Sequence, residues 1–259
     1  MPDAQSMPVV RSERPRRKGN RKLLLLLFIF FAALLGVLFF QSSFSKIHHI
    51  EIDGHQLLTA EQVLEAAGIA AGDHFFAVSG EEISSRVTQL DAVESVRTEK
   101  KFPGTVKITV AEYPVVALEL LEQGGIAGLL SNGMAIPYGA AEDSASRPIL
   151  TGWEDEKLKT ALCAELAKIP QEALTDVSEI RPSPTDSYAD RIILYTRSQF
   201  EVVTTVSYLA EKINVLDKYV YEMKREHSPT GRIVLLETDY GETFDLPADD
   251  ESRQGATSS

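Results

Sequence analysis

Residues Leu23–Phe40 are eighteen consecutive positions without a charge or a proline. As a helix rising about 1.5 Å per residue the run is roughly 27 Å long, close to the ~30 Å hydrocarbon core of a bilayer. It is apolar on every face, whereas a helix lying on a globular core carries a single apolar stripe. Arg11, Arg14, Arg16, Arg17, Lys18, Arg21 and Lys22 stand before it, opposed only by Asp3 and Glu13. Lys/Arg-rich flanks stay on the cytoplasmic side. Residues 1–22 are therefore expected to be a cytoplasmic basic tail, 23–40 a transmembrane helix, and the rest of the chain extracytoplasmic. A cleaved signal peptide is the competing reading. The stretch exceeds the usual length of about 7–15 apolar residues, and only Ser43 and Ser45 resemble a cleavage site.

Beyond residue 22 the chain carries 19 basic against 36 acidic residues. A body this acidic is a poor match for nucleic acid, whose phosphates call for a basic surface, and equally for anionic lipid. Cys163 is the only cysteine, so no intrachain disulfide supports the fold, and burial of apolar surface must do so. Cys163 sits in the amphipathic pattern Lys157–Leu166 and reads as a structural thiol, with neither a base nor an electropositive setting offered locally.

The first outer segment reads strand, helix, helix, strand, strand. Ile47, Ile50 and Ile52 occupy an extended stretch closed by the turn pair Asp53-Gly54. Thr59-Ala60-Glu61-Gln62 is a capping box, followed by Val63, Leu64 and Ala67 on one face and Gly68 at the C′ position. Ser79-Gly80-Glu81-Glu82 opens a second helix with Ile83, Val87 and Leu90. Val93–Thr98 and Thr105–Glu112 form a hairpin across Phe102-Pro103-Gly104. In its second strand Val106, Ile108 and Val110 alternate with Lys107, Thr109 and Ala111, as a half-buried strand requires.

This order, at this distance from an apolar span, resembles a POTRA domain. Three strings carry the likeness: Ile47-x-x-Ile50-x-Ile52-x-Gly54-His55, Gly68–Phe76, and the hairpin running into Glu112-Tyr113-Pro114-Val115-Val116-Ala117. The last is similar to the E-x-x-P-V-A junction of the FtsQ/DivIB cell-division proteins, with one extra valine here, and the resemblance extends over roughly residues 20–247. It implies an α+β chain: a single transmembrane helix, a POTRA domain at 45–114, and a second mixed domain at 115–247 with a mainly antiparallel sheet. An Asp-rich tail at 248–259 has little to bury and is expected to be disordered.

Within the second unit, Val115–Leu121 and Ile126–Leu130 flank Gly124-Gly125, and Asn132-Gly133 signals a hairpin before Met134–Tyr138. Gly139–Ser146 is small and acidic, a surface loop. Leu158, Leu162, Leu166 and Ile169 mark a helix that Pro170 stops. Ile192–Thr196 and Phe200–Thr205 are strands separated by Arg197-Ser198-Gln199, where the family more often has Asp-Gly. Leu209, Ile213, Leu216, Val220 and Met223 give the longest helix, Val206–Lys224.

His48, His49 and His55 are the nearest approach to a metal set, yet neighbours on a strand point to opposite faces. No nucleophile elbow, zinc helix or phosphate loop is present. The expectation is no enzyme activity and no cofactor. Two other readings, a POTRA-bearing secretion or assembly factor and a membrane-anchored cell-wall enzyme, lack the long alternating barrel strands of the one and the site motif of the other. The resemblance implies a septal protein acting with FtsL-like and DivIC/FtsB-like bitopic partners, with septal wall synthases as candidate further partners, to control septal wall synthesis. The same resemblance implies that partner binding falls on Val206–Lys224 and the final strand, Arg232–Leu236. The β-prone run Arg232, Ile233, Val234, Leu235 and Leu236, close to the chain end, suggests a sheet edge open to β-augmentation. Tyr208 and Tyr219 are candidate aromatic anchors beside it. The alternative, an interior strand with both tyrosines in the core, stands equally open at this point.

Overall fold

The computed structural model describes residues 20–121, 124–139, 146–225 and 230–243. Most of the basic tail, most of the Gly139–Ser146 loop and the whole 248–259 tail lie outside the described residues. The chain opens with helix α1, Arg21–Gln41, none of whose residues is buried against the rest of the protein. It is long and apolar enough to cross a membrane.

A three-stranded unit follows. It comprises β1 (His49–Asp53), α2 (Ala60–Ala67), α3 (Gly80–Val87), β2 (Val93–Lys101) and β3 (Thr105–Glu112). The sheet order is β1-β3-β2, with β1 parallel and β2 antiparallel to β3. Helix α2 begins at the full capping box: the Thr59 hydroxyl accepts from Gln62 N, and the Gln62 side chain accepts from Thr59 N. It ends at Gly68, which is left-handed at φ 63°. Val106, Ile108 and Val110 turn inward from β3 to meet Val63 and Ala67 of α2 and Ile83 and Val87 of α3. Gly54 closes β1 at φ +86°, and a Cβ there would lie 2.1 Å from the Val110 carbonyl oxygen. Only glycine fits that approach.

The second unit is a nine-stranded sheet. Its first half is β4 (Val115–Leu120), β5 (Ile126–Leu130), β6 (Ala135–Pro137), β7 (Ile149–Leu150), α4 (Glu156–Leu166) and β8 (Val177–Pro182). Then come β9 (Arg191–Thr196), β10 (Phe200–Thr205), α5 (Val206–Lys212), α6 (Leu216–Arg225), β11 (Gly231–Leu235) and β12 (Asp239–Thr243). The order is β12-β11-β10-β9-β8-β7-β4-β5-β6. The pairs β4–β7, β7–β8 and β10–β11 are parallel and the other neighbours antiparallel. The fold is thus α+β with an antiparallel-dominated second sheet.

Helices α4, α5 and α6 cover one face of this sheet. Leu162, Leu166, Leu209, Ile213, Leu216 and Val220 pack on Leu150, Ile180, Leu194, Val202, Ile233 and Leu235. The single helix expected over Val206–Lys224 is two helices joined by a 3₁₀ turn at Ile213–Val215. The interruption falls where the apolar spacing shortens to three, from Ile213 to Leu216. A 3₁₀ turn, with about 3.0 residues per turn, keeps both on the sheet side.

The β9–β10 turn works without the Asp-Gly pair. Gln199 takes φ 70°, and the turn is fastened from outside: the Asp176 carboxylate accepts from Ser198 N at 2.9 Å, and Arg197 N donates to Asp176 O at 2.7 Å.

Candidate partner surface

Strand β11 holds four of the predicted contact residues, and it is not an edge. It lies between β10, paired in parallel, and β12, paired antiparallel from Gly231↔Thr243 to Leu235↔Asp239. The expectation of an open edge at 232–236 is corrected here. The chain turns at Leu236–Thr238 and returns as one further strand, so the backbone groups of β11 are used on both sides. Among the described residues the free edge on this flank is β12.

Alternation sorts the β11 side chains. Ile233 and Leu235 enter the core beneath α5 and α6, whereas Arg232 and Val234 face the opposite side. On that open face Arg232 bridges its neighbours, 2.9 Å from Glu201 on β10 and 3.7 Å from Glu242 on β12. One step along, Val234 stands between Val203 and Tyr240. Val234 is only 7% exposed, while Tyr240, on the free strand, is 49% exposed. Leu236 is half-buried at the hairpin bend.

Tyr208 and Tyr219 are half-buried and engaged within the chain. Glu237 accepts from the Tyr188 hydroxyl at 2.7 Å and more weakly from that of Tyr208 at 3.5 Å. Lys212 Nζ lies 2.9 Å from both Asp239 carboxylate oxygens, and the Tyr219 hydroxyl reaches the Asp239 carbonyl at 3.4 Å. These contacts bind the β11–β12 hairpin to α5 and α6, so the two tyrosines position the free strand. The electrostatics agree. The Tyr188 O–H holds the Glu237 carboxyl below its ordinary range, Glu237 raises the Tyr188 hydroxyl, and Asp239 raises the Lys212 ammonium. Sequence reasoning missed Tyr240 and the exposed Tyr221. Tyr240 is the one aromatic in β12, a strand hidden by its Asp239 and Gly241.

Glu112 was legible only as a letter of the junction motif, and the structure gives its work. Its carboxylate accepts from the backbone N–H groups of Gln56, Leu57 and Leu58 at 2.9, 2.8 and 2.9 Å. It thereby ties the loop after β1 to the point where β3 passes through Tyr113-Pro114 into β4. A cleft of about 470 Å³ beside this joint is lined by Glu112, Tyr113 and Pro114 together with Leu166 and Ile169 of the second unit.

Among the described residues no three His, Cys, Asp or Glu side chains form a metal-binding group. His48 is exposed and its Nε2 lies 2.7 Å from the Ser43 carbonyl oxygen. Cys163 is fully buried, and desolvation, opposed by the nearby Lys159 charge, pushes its thiol up to about 12.

The architecture is that of a membrane-anchorable protein in which one apolar helix carries a β-α-α-β-β unit and then a sheet with a free, tyrosine-bearing edge. The family model described as "POTRA domain, FtsQ-type" matches residues 45–113. The cell division protein DivIB of Paenibacillus polymyxa is 39% identical over 258 residues, 99% of this chain and 99% of that one. That of Geobacillus kaustophilus is 32% identical over 78% of this chain and 77% of its own. The Bacillus subtilis protein of the same name is 23% identical over 93% and 90%. The solved major extracytoplasmic domain of DivIB from Geobacillus stearothermophilus (trans isomer) is 28% identical, covering 44% of this chain and 97% of that one at a TM-score of 0.37. The chain belongs to the DivIB family of cell-division proteins.

Proposed function

We propose that this protein is a non-enzymatic scaffold of the division machinery, held in the cytoplasmic membrane by α1 with its basic tail inside. It concentrates at the septum and holds FtsL-like and DivIC/FtsB-like bitopic proteins in a complex that controls septal peptidoglycan synthesis. The POTRA unit at 45–114 serves targeting and the unit at 115–247 serves partner binding. The observation that carries the second role is the flank of β12 that is unpaired among the described residues. A strand edge offers main-chain donors and acceptors to an incoming strand. Here it stands next to Tyr240 and is braced by Tyr188, Tyr208, Lys212 and Tyr219. Arg232, Val234 and Leu236 contribute the adjoining surface, and Ile233 and Leu235 seat the hairpin in the core.

The test is a photo-crosslinking residue at Tyr240 or Glu242 in dividing cells. The expected products join this chain to the two small bitopic proteins, while the same probe at Glu119, beneath α4, gives none. Failure of both edge positions to crosslink any division protein overturns the assignment.

A further inference from the structure

Five phenylalanine rings cluster where α1 meets the first unit, and a sixth, Phe44, stands exposed in the connector between them. The Phe76 ring centroid lies 6.0 Å from that of Phe39, 6.4 Å from Phe40 and 6.1 Å from Phe102. Phe75 sits behind them, buried, 5.2 Å from Phe76 and 6.3 Å from Phe102. Phe76 belongs to the segment between α2 and α3, Phe102 to the β2–β3 turn, and Phe44 to the connector after α1. They are 52%, 58% and 62% exposed. Each of the three keeps more than half of its surface exposed, and Phe76 and Phe102, from separate segments, meet at one pole.

The connector Gln41–Lys46 is not a loose tether. The Ser45 hydroxyl donates to the Phe40 and Ser42 carbonyls at 2.6 and 3.0 Å, closing the end of α1. Phe75 N donates to Ser45 O, Ile47 N to Asp73 O and Gly72 N to Ile47 O, each at 2.8 Å, and Lys46 bridges to His74. The first unit is thus fastened directly to the helix end, at a fixed depth relative to Phe39 and Phe40.

We propose that this pole is seated in the outer leaflet of the membrane, with Phe76, Phe102 and Phe44 buried in the layer between acyl chains and headgroups. The inference rests on α1 spanning the bilayer. If it does, Phe39 and Phe40 end the hydrocarbon run, and Phe76, one ring away, shares their depth. Rings of this kind enter the interfacial layer by roughly 5–10 Å in amphipathic membrane-binding segments. The polar surroundings also fit. Lys100 Nζ, which donates to the Val78 carbonyl, lies 4.6 Å from the Phe75 centroid, and the neighbouring Lys101 is exposed. Of the acidic groups there, the Asp73 carboxylate accepts from Ala70 N and Glu99 lies 3.8 Å from Lys101. The chain beyond residue 22 is strongly acidic, so an anionic leaflet repels the rest of the body and favours contact through this pole alone.

The experiment uses the full chain in nanodiscs of phosphatidylglycerol and phosphatidylethanolamine. Nitroxide labels are placed one at a time at Phe76→Cys, Phe102→Cys, Leu34→Cys in α1, and Tyr221→Cys on the exposed face of α6. Cys163, buried and poorly ionised, stays unlabelled. Collision with oxygen relative to a water-soluble nickel chelate reports depth. Positions 76 and 102 are expected to give ratios severalfold above that at 221 and below that at 34. A lipid-like value at 34 with water-like values at 76 and 102 overturns the docking and leaves the span intact. A water-like value at 34 refutes the span itself. Shielding of 76 and 102 that arises only when division partners are added makes the pole a protein surface and also overturns the proposal. Headgroup-labelled lipid, added to the unsubstituted protein, should broaden the amide signals of Phe76 and Phe102 and spare Tyr221, which guards against any effect of the substitutions.

Discussion

Replacing Glu112 by alanine removes the acceptor for three backbone N–H groups at once. A hydrogen bond to a charged group is worth about 1.5–3 kcal/mol when water cannot substitute for it. Only the Leu58 bond is partly buried, whereas the Gln56 and Leu57 amides are exposed and can turn to solvent. Taking about 1.5 kcal/mol for the first and about 0.5 for each of the others gives a loss of about 2–3 kcal/mol from the first unit. For a unit of roughly 70 residues that corresponds to a fall in its Tm of about 10–20 °C. Glu112→Gln retains one carbonyl oxygen and should fall between alanine and the natural residue. The assay cannot rely on fluorescence, because Trp153 is the only tryptophan and lies in the other core. Hydrogen exchange of the full-length protein in detergent resolves the unit directly. Exchange at Leu58 and across β1 should accelerate, with urea unfolding of the first unit moved to lower concentration and that of the second unchanged. An alanine variant within about 0.5 kcal/mol of the natural protein, the ordinary range for an exposed substitution, with unchanged exchange at Leu58, would refute the assignment of Glu112 as the clamp of this joint.

Three further outcomes follow from the same geometry. Gly54→Ala places a Cβ against the Val110 carbonyl at positive φ and should cost about 2–4 kcal/mol, measured by urea unfolding of the first unit. The Tyr188–Glu237 bond depresses the carboxyl and raises the phenol. Its stabilising effect is therefore full between the two ordinary values, 4.5 and 10.0. It is lost as pH falls through the lowered Glu237 value, and again as pH rises through the raised Tyr188 value. An NMR titration of Glu237 should give a midpoint below 4.5 that rises in Tyr188→Phe; an unmoved midpoint contradicts the contact. Cys163, buried and with its thiol raised to about 12, should resist alkylation at pH 8 in the native protein and react promptly in denaturant, whereas fast native labelling would show that α4 opens.

What the sequence disclosed, and what it hid, divides along physical lines. The first unit was legible because its elements obey local rules: a reciprocal cap at Thr59 and Gln62, a left-handed Gly68, and strict alternation through Val106, Ile108 and Val110. Strand β8 was hidden by a register shift between Val177 and Glu179. The bulge leaves Val177 and Ile180 buried three residues apart, so the two-residue period on which strand recognition depends is lost. Strand β12 was hidden because it buries almost nothing. Asp239, Gly241 and Glu242 are poor strand formers, and the segment is extended only because β11 supplies a template. That omission misplaced the edge: without β12, Arg232–Leu236 reads as the last strand. The seven residues named for partner binding lie beside that edge, but two of them face the core and the two tyrosines are turned inward to brace the hairpin.

The proposed partner binding depends on the flank of β12 that is free among the described residues. Along an antiparallel strand successive N–H groups point alternately toward and away from the paired neighbour, so of Tyr240 and Gly241 one faces β11 and the other the open side. Hydrogen exchange across β12, measured on the full-length protein with and without the FtsL-like and DivIC-like partners, reads this directly. Edge pairing predicts that the outward-facing amide of that pair becomes protected on binding, along with alternate positions from Asp239 to Thr243, while the inward-facing amides, already bonded to β11, change little. Full partner binding with no new protection anywhere in β12 would contradict the account.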